Sequence, residues 1–262
     1  MNDYRSIGVY AGAATQIGKL LTLAGSLATD PAARVQVLCP PDAVTCQAAQ
    51  RLLQAGGAQG TCEAVAEGAS APAQRSRGCD LLLLSQPYFD SSQSPNVGFV
   101  SQLLVDASCP LLFVPRPQEL GRQAGSAVLV AWDGGREGAR AMRDALPLLQ
   151  RARSVWVYAY GDPRGAGAQS LEAACGYLRR HGVEPRHALQ RMGDADYGQR
   201  ATMASTLLDA GVAELLLSDA AELGADLLVM GAYGHSRAQE WLLGGVTRSL
   251  LSSMTLPVLM SH

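Results

Sequence analysis

The stretch Asp226-Leu-Leu-Val-Met-Gly231-Ala-Tyr-Gly234-His-Ser-Arg-Ala-Gln-Glu-Trp-Leu-Leu-Gly244-Gly245-Val-Thr247-Arg248 decides how this chain is read. Its apolar run has the length of one buried strand and stops at Gly231. A second glycine follows three residues later, and the pair Gly244-Gly245 comes ten residues after that. An amphipathic stretch then leads to a last apolar strand at 256–260. Glycines at a strand–loop–helix junction let backbone N–H groups approach an anion closely, at the positive end of a helix. Gly231 and Gly234 alone could be turn glycines. The pair Gly244-Gly245 is harder to explain that way, because glycine at a helix start costs about 1 kcal/mol unless something uses it.

Outward from this stretch, short apolar runs alternate with longer helical patterns. Strands are expected at 6–10, 34–38, 80–85 and 109–114, then at 127–132, 155–160, 186–190, 226–231 and 256–260. Helices are expected at 138–150, 171–181 and 207–223, the last despite Gly211. The alternation predicts an α/β fold with open parallel sheets, helices on their faces and right-handed crossovers. The chain also repeats. Arg77-Gly-Cys-Asp80-Leu-Leu82 matches Leu223-Gly-Ala-Asp226-Leu-Leu228 at an offset of 146, which also maps Gly98 onto Gly244, Val100 onto Val246, Ser101 onto Thr247 and Leu104 onto Leu250. Two domains of one fold are predicted, at 1–118 and 124–262, joined near Pro115–Gly125 where proline, glycine and charge cluster.

The second half opens with Val128-Leu-Val-Ala131-Trp132-Asp133-Gly134-Gly135-Arg136-Glu137. In an open parallel sheet, ligands bind beyond the carboxyl ends of strands, where the strand order reverses. Asp133 would project there. A carboxylate suits a ribose hydroxyl or an adenine amino group better than a phosphate, and it equally suits a cap on the helix beginning near Arg136. Thr247 and Ser236 could donate to phosphate or bond within their own turn or helix. Arg237 and Arg248 could neutralise phosphate charge or stand in solvent. No second group is visible to orient His235 as a base.

Composition sets the outer bounds. With 48% hydrophobic and 17% charged residues the chain is globular rather than disordered. A net charge of −2 without a basic stripe argues against nucleic acid and anionic membranes as partners. Six cysteines at irregular spacing without a C-x-x-C read first as structural thiols of a reducing cytosol, with a metal site or a disulfide set as the alternative. No apolar stretch reaches the length of a membrane span, and the N-terminus offers no signal peptide, so a cytoplasmic location is expected. The P-loop, the strand-associated G-x-G-x-x-G and H-E-x-x-H are absent, and four scattered histidines make no metal site.

Gly231-x-x-Gly234, nine residues, then Gly244 and a small residue resembles the ATP-binding signature of the universal stress protein family. With the 146-residue repeat, the chain resembles a tandem member of bacterial type. The resemblance implies two tandem Rossmann-like domains, akin to the adenine nucleotide alpha hydrolases and packed as a pseudo-dimer. That pairing is internal to the chain and leaves homodimerisation open. It places Ala131 and Asp133 near adenosine, with Tyr160 walling the base. Met230, Gly231, Gly234, Gly244, Gly245, Val246 and Thr247 would surround ribose and phosphates. The cofactor implied is ATP, with or without Mg²⁺. The family usually has serine or threonine where this chain has Gly245, so one hydroxyl is lost while the backbone N–H remains.

In the first half Ser85 and Tyr88 stand at the positions of Gly231 and Gly234, Phe99 stands at Gly245, and Ala11 is read opposite Asp133. That half is expected to have lost nucleotide binding. The function expected is an ATP-binding regulator of the stress response, with at most slow ATP hydrolysis, because no water-activating base or acidic metal cluster accompanies the loop. Two alternatives stay open: a hydrolase or ligase cleaving ATP at the α-phosphate, and a ligand-free scaffold with relic sites. The first would place serine or threonine in the loop after the opening strand, and 133–137 has neither.

Overall fold

The computed structural model describes residues 3–55, 60–90, 94–116, 124–160, 164–190, 205–232 and 243–262, with only the backbone at 205–209. The chain divides into two compact units, Met1–Ala124 and Gly125–His262.

The first unit runs β1 (Ser6–Tyr10), α1 (Ala14–Leu27), β2 (Arg34–Cys39), α2 (Ala43–Ala55), β3 (Gly60–Ala64), α3 (Ser70–Ser76), β4 (Leu81–Ser85), α4 (Val97–Asp106) and β5 (Leu111–Val114). Its strands are parallel in the order β3-β2-β1-β4-β5. The second runs β6 (Ala127–Trp132), α5 (Arg136–Asp144), α6 (Leu146–Leu149), β7 (Ser154–Tyr160), α7 (Ala166–Arg180), β8 (Arg186–Gln190), α8 (Ser205–Glu222), β9 (Leu227–Gly231), α9 (Gly245–Ser253) and β10 (Val258–Ser261). Its order, β8-β7-β6-β9-β10, is the same one. In each unit the order reverses between the first and fourth strands, which places a ligand crevice at their carboxyl ends.

Burial explains why the apolar runs are continuous. Leu81, Leu82, Leu83 and Leu84 are all fully buried, as are Leu228 and Val229. A parallel strand with helices on both faces has no solvent side and needs no polar alternation. β7, nearer the sheet edge, alternates instead, with Val155, Val157 and Ala159 buried and Tyr158 and Tyr160 half-buried.

One carboxylate in each unit pins the first strand to the fourth. Asp80 accepts from the N–H groups of Arg5 and Ser6, at 2.8 and 2.9 Å. Asp226 accepts from Gly125 and Ala127, both at 2.9 Å, and from Ser126 at 3.1 Å. This is why Asp80 and Asp226 share one position in the repeated hexapeptides.

The sheet registers correct one expectation. Ile7 lies beside Leu81 and Val128 beside Leu227, so Gly12, not Ala11, corresponds to Asp133. The 146-residue offset of the fourth strands falls to 121 at the first strands, because the connections between them differ in length. Other expectations shift as well. β3 was not foreseen, since Gly-Thr-Cys-Glu-Ala is a half-polar edge strand without an apolar signature. The helix expected at 138–150 is interrupted at Ala145, with Pro147 opening a short second helix. α7 begins five residues earlier than the expected 171.

Candidate functional site

The candidate site gathers where β6 and β9 end. Asp133 follows β6 directly, and its Oδ1 accepts from the Gly135 N–H at 2.8 Å. Gly135 caps α5 without a side-chain bond of its own, so the Asp133 carboxylate serves the turn that opens this helix. Asp133 is not itself the N-cap: it holds the N–H of the N-cap residue, Gly135. Asp133 is half-buried at the carboxyl end of β6, the first strand of its unit.

Two glycines are required by geometry. Gly134 has φ +79°, and a Cβ there would stand 2.6 Å from the Ala166 carbonyl carbon and oxygen, at the start of α7. Gly231 ends β9 against the first turn of α5. Its Cβ would lie 2.5 Å from the Gly138 nitrogen and 2.6 Å from the Glu137 carbonyl carbon. Both obstacles are backbone, which cannot swing aside. Bare backbone at Gly231 is what brings β9, α5 and the Asp133 loop together.

The other predicted residues are placed as follows. Ala131 is half-buried and lies beside Tyr158 in the neighbouring strand. Met230 is buried and pairs with Met260. Gly244 is the N-cap of α9, followed by Gly245 and Val246, all three half-buried. Gly244, as a glycine, has no side chain with which to cap the helix. Thr247 is buried, and its match in the first unit, Ser101, bonds back to the Val97 carbonyl at 2.8 Å. Gly234 lies outside the described residues, as do His235, Ser236 and Arg237.

Tyr160 ends β7 and donates its hydroxyl to Asp219 Oδ2 on α8, at 2.8 Å. Gln190 donates to the other oxygen of Asp219 at 3.3 Å. Burial, and then the bond to Asp219, raise the Tyr160 pKa, so its hydroxyl stays protonated. Asp219 was not foreseen; nothing in the sequence marks it apart from other acids on a helix. Trp132, also unforeseen, donates its indole N–H to Ser170 at 3.0 Å and ties the end of β6 to α7. Glu137 at the start of α5 is held low: burial raises it, but its own backbone N–H and Arg136 outweigh that. Among the described residues, no group of three His, Cys, Asp or Glu side chains is spaced to hold a metal ion.

The matching corner of the first unit is filled. A Cβ on Gly12 would meet the Ser94 carbonyl oxygen at 2.6 Å and Pro95 Cδ at 2.8 Å. Tyr10 stacks on Phe99 with centroids 4.7 Å apart, and its hydroxyl lies 3.3 Å from Ser94 Oγ. The Arg116 guanidinium covers the Tyr88 ring at 3.7 Å. α4 begins one residue before the match of Gly244, and its N-cap Asn96 accepts from the Phe99 N–H at 2.9 Å. Gly98 thus lies inside α4 instead of capping it.

A model of the universal stress protein family matches residues 126–262. No curated protein matches the sequence. Among solved structures, a universal stress protein from Archaeoglobus fulgidus DSM 4304 is similar at a TM-score of 0.67 and 12% identity, covering 98% of this chain and 95% of its own. A protein from Pseudomonas aeruginosa UCBPP-PA14, provisionally named a universal stress protein, is similar at 0.65 and 18%, covering 98% and 93%. A functionally unknown protein from Pseudomonas aeruginosa PAO1 is similar at 0.63 and 17%, covering 98% and 92%. At these identities the likeness concerns the fold. Among the described residues no helix is long and apolar enough to cross a membrane.

Proposed function

This chain belongs to the universal stress protein family, and from that premise we propose that its second unit binds one ATP and acts as a nucleotide-dependent regulator. The first unit would bind no nucleotide. The observation that carries this reading is the contrast at two helix starts. α9 opens on Gly244, which has no side chain to offer as a cap, whereas α4 is closed by its own Asn96. Uncapped N–H groups at a helix N-terminus form an anion site, because the helix dipole and the orphan donors act together.

The residues fit a nucleotide. Gly245, Val246 and Thr247 would offer backbone N–H groups to phosphate, which needs no hydroxyl at Gly245. Gly231 keeps the corner clear of side chains, and Gly234 would continue the same loop. Asp133, held by Gly135, would accept from a ribose hydroxyl or the adenine amino group beside Ala131. Tyr160, fixed by Asp219, would stand at the outer strand as the wall toward the base. Met230 backs the corner from within the sheet. ATP supplies the charge these N–H groups would neutralise; Mg²⁺, where bound, would share it with them.

None of these side chains is a water-activating base, so the output is a change of shape or partner set by occupancy, with at most slow hydrolysis. The test is mass spectrometry of nucleotide retained by the purified protein, for the parent and for Gly244→Asn. Adenine nucleotide on the parent and its loss in the variant support the reading. Equal retention in both, or AMP and pyrophosphate released at rates typical of an enzyme, count against it.

A further inference from the structure

Three of the six cysteines converge in the first unit. Cys39 ends β2, Cys46 lies in the first turn of α2, and Cys62 is the middle residue of β3. The Cys39 and Cys62 sulfurs are 3.4 Å apart. Cys62 Sγ lies 3.8 Å from the Cys46 carbonyl oxygen, and Cys46 Sγ lies 3.6 Å from that of Pro40. The register explains the meeting. Cys62 lies beside Val37 and Cys39 beside Ala64, which puts the two cysteines on one sheet face, a diagonal step apart. β3 is the outermost strand of its unit, so Cys62 is half-buried while Cys39 is fully buried. One thiol can meet a solute; the other waits behind it.

We propose that Cys62 and Cys39 form an oxidation site for hydroperoxides, in which Cys62 reacts first and Cys39 resolves it to a disulfide joining β2 to β3. The Cys62 thiolate attacks one peroxide oxygen, the O–O bond breaks, and the departing oxygen takes a proton to leave as water or an alcohol. Cys62 is then a sulfenic acid. The Cys39 sulfur attacks the Cys62 sulfur, the S–OH bond breaks, and hydroxide leaves as water with the proton of Cys39. Two thiols lose two electrons in all, and these reduce the peroxide.

Closure from 3.4 Å to a bond of about 2.05 Å asks for side-chain rotation and a small shift of the edge strand. Burial is the largest cause raising both thiols above their ordinary range, which keeps the thiolate fraction small near neutrality. The site is therefore slow at pH 7, quickens with pH, and answers sustained rather than trace hydroperoxide. The oxidised form staples the edge strand of the unit whose nucleotide corner is filled.

The test treats reduced full-length protein with hydrogen peroxide between pH 7 and 9, blocks free thiols by alkylation, and maps unreduced peptides by mass spectrometry. The expected product is a Cys39–Cys62 linked peptide, forming about tenfold faster per pH unit while both thiols remain mostly protonated. In Cys39→Ser, Cys62 should be trapped as sulfenic acid by dimedone. In Cys46→Ser the linked peptide should persist. Buried Cys175 of the second unit is the unreacted reference. A Cys46–Cys62 bridge as the main product, or oxidation elsewhere with Cys39 and Cys62 both still free, overturns the proposal. The parent map decides the question even if a variant fails to fold.

Discussion

The two units share a strand order and a carboxylate pin, and they differ where β1 and β4, or β6 and β9, end. The first unit fills that corner from within: Ser94-Pro95 packs on Gly12, Phe99 stacks on Tyr10, and Asn96 caps α4. The second has Gly231, Gly244 and Gly245 at the matching places, and turns through Asp133-Gly134-Gly135 instead of Gly12-Ala13. A duplicated fold can thus keep its scaffold residues in both copies while a few loop residues decide whether an anion can enter. Asp80 and Asp226 hold strands and are present twice. Gly244 and Val246 also have counterparts in Gly98 and Val100, whereas Asp133, Gly231 and Gly245 occur once, facing Gly12, Ser85 and Phe99.

The contrast can be broken most forcefully at Gly231. Valine there must displace the backbone of α5, so Gly231→Val should lose ATP binding and lower stability by about 3 kcal/mol, read by calorimetry and thermal melting. Ser85, its match, already carries a side chain. The next effect is at Gly134. Gly134→Ala puts a Cβ on a left-handed residue against Ala166, costing about 2 kcal/mol and weakening ATP binding with it. Ala13, the matching residue, is extended and tolerates its methyl group.

A swap of caps sharpens the comparison further. Asn96→Ala should destabilise the protein by about 1 kcal/mol and leave ATP affinity unchanged. Gly244→Asn should change stability by only a few tenths of a kcal/mol and weaken ATP at least tenfold, about 1.4 kcal/mol. Cap variants with the reverse pattern would erase the distinction between the two helix starts.

The smallest effect concerns pH. Asp144 on α5 accepts from Ser261 at 2.9 Å, while the first unit has Val114 at the position of Ser261. Burial raises Asp144 above its ordinary value of 3.8, and the bond from Ser261 offsets that in part. The folded state therefore holds this proton more tightly than the unfolded chain. Its contribution is fully present below pH 3.8 and is lost as pH rises through the raised folded value. Asp144→Asn should flatten the melting temperature against pH in this range relative to the parent; an unchanged slope would discard the assignment.

Much of this architecture was legible because its causes are local. Alternating apolar runs and helical periods fix the α/β class, and the repeated Gly-x-Asp-Leu-Leu marks the strand pin. What escaped depends on pairing between distant residues. β3 is held by β2 and has no apolar pattern of its own. The equivalence of Gly12 with Asp133 needs the sheet register, since the connections between strands differ in length. Asn96 is an ordinary cap in sequence, and its importance appears only beside Gly244. Likewise the bonds Trp132–Ser170 and Tyr160–Asp219 span 38 and 59 residues. In the candidate site, the glycine spacing was readable, but the backbone that Gly231 meets was not.

Titration of the full chain with ATP by isothermal calorimetry tests the central claim most directly. One site per chain is predicted, lost in Gly244→Asn and kept in Gly98→Ala, whose added methyl lies 3.6 Å from Asn96 Oδ1 and meets no obstruction. Two sites per chain, or none, would contradict the account.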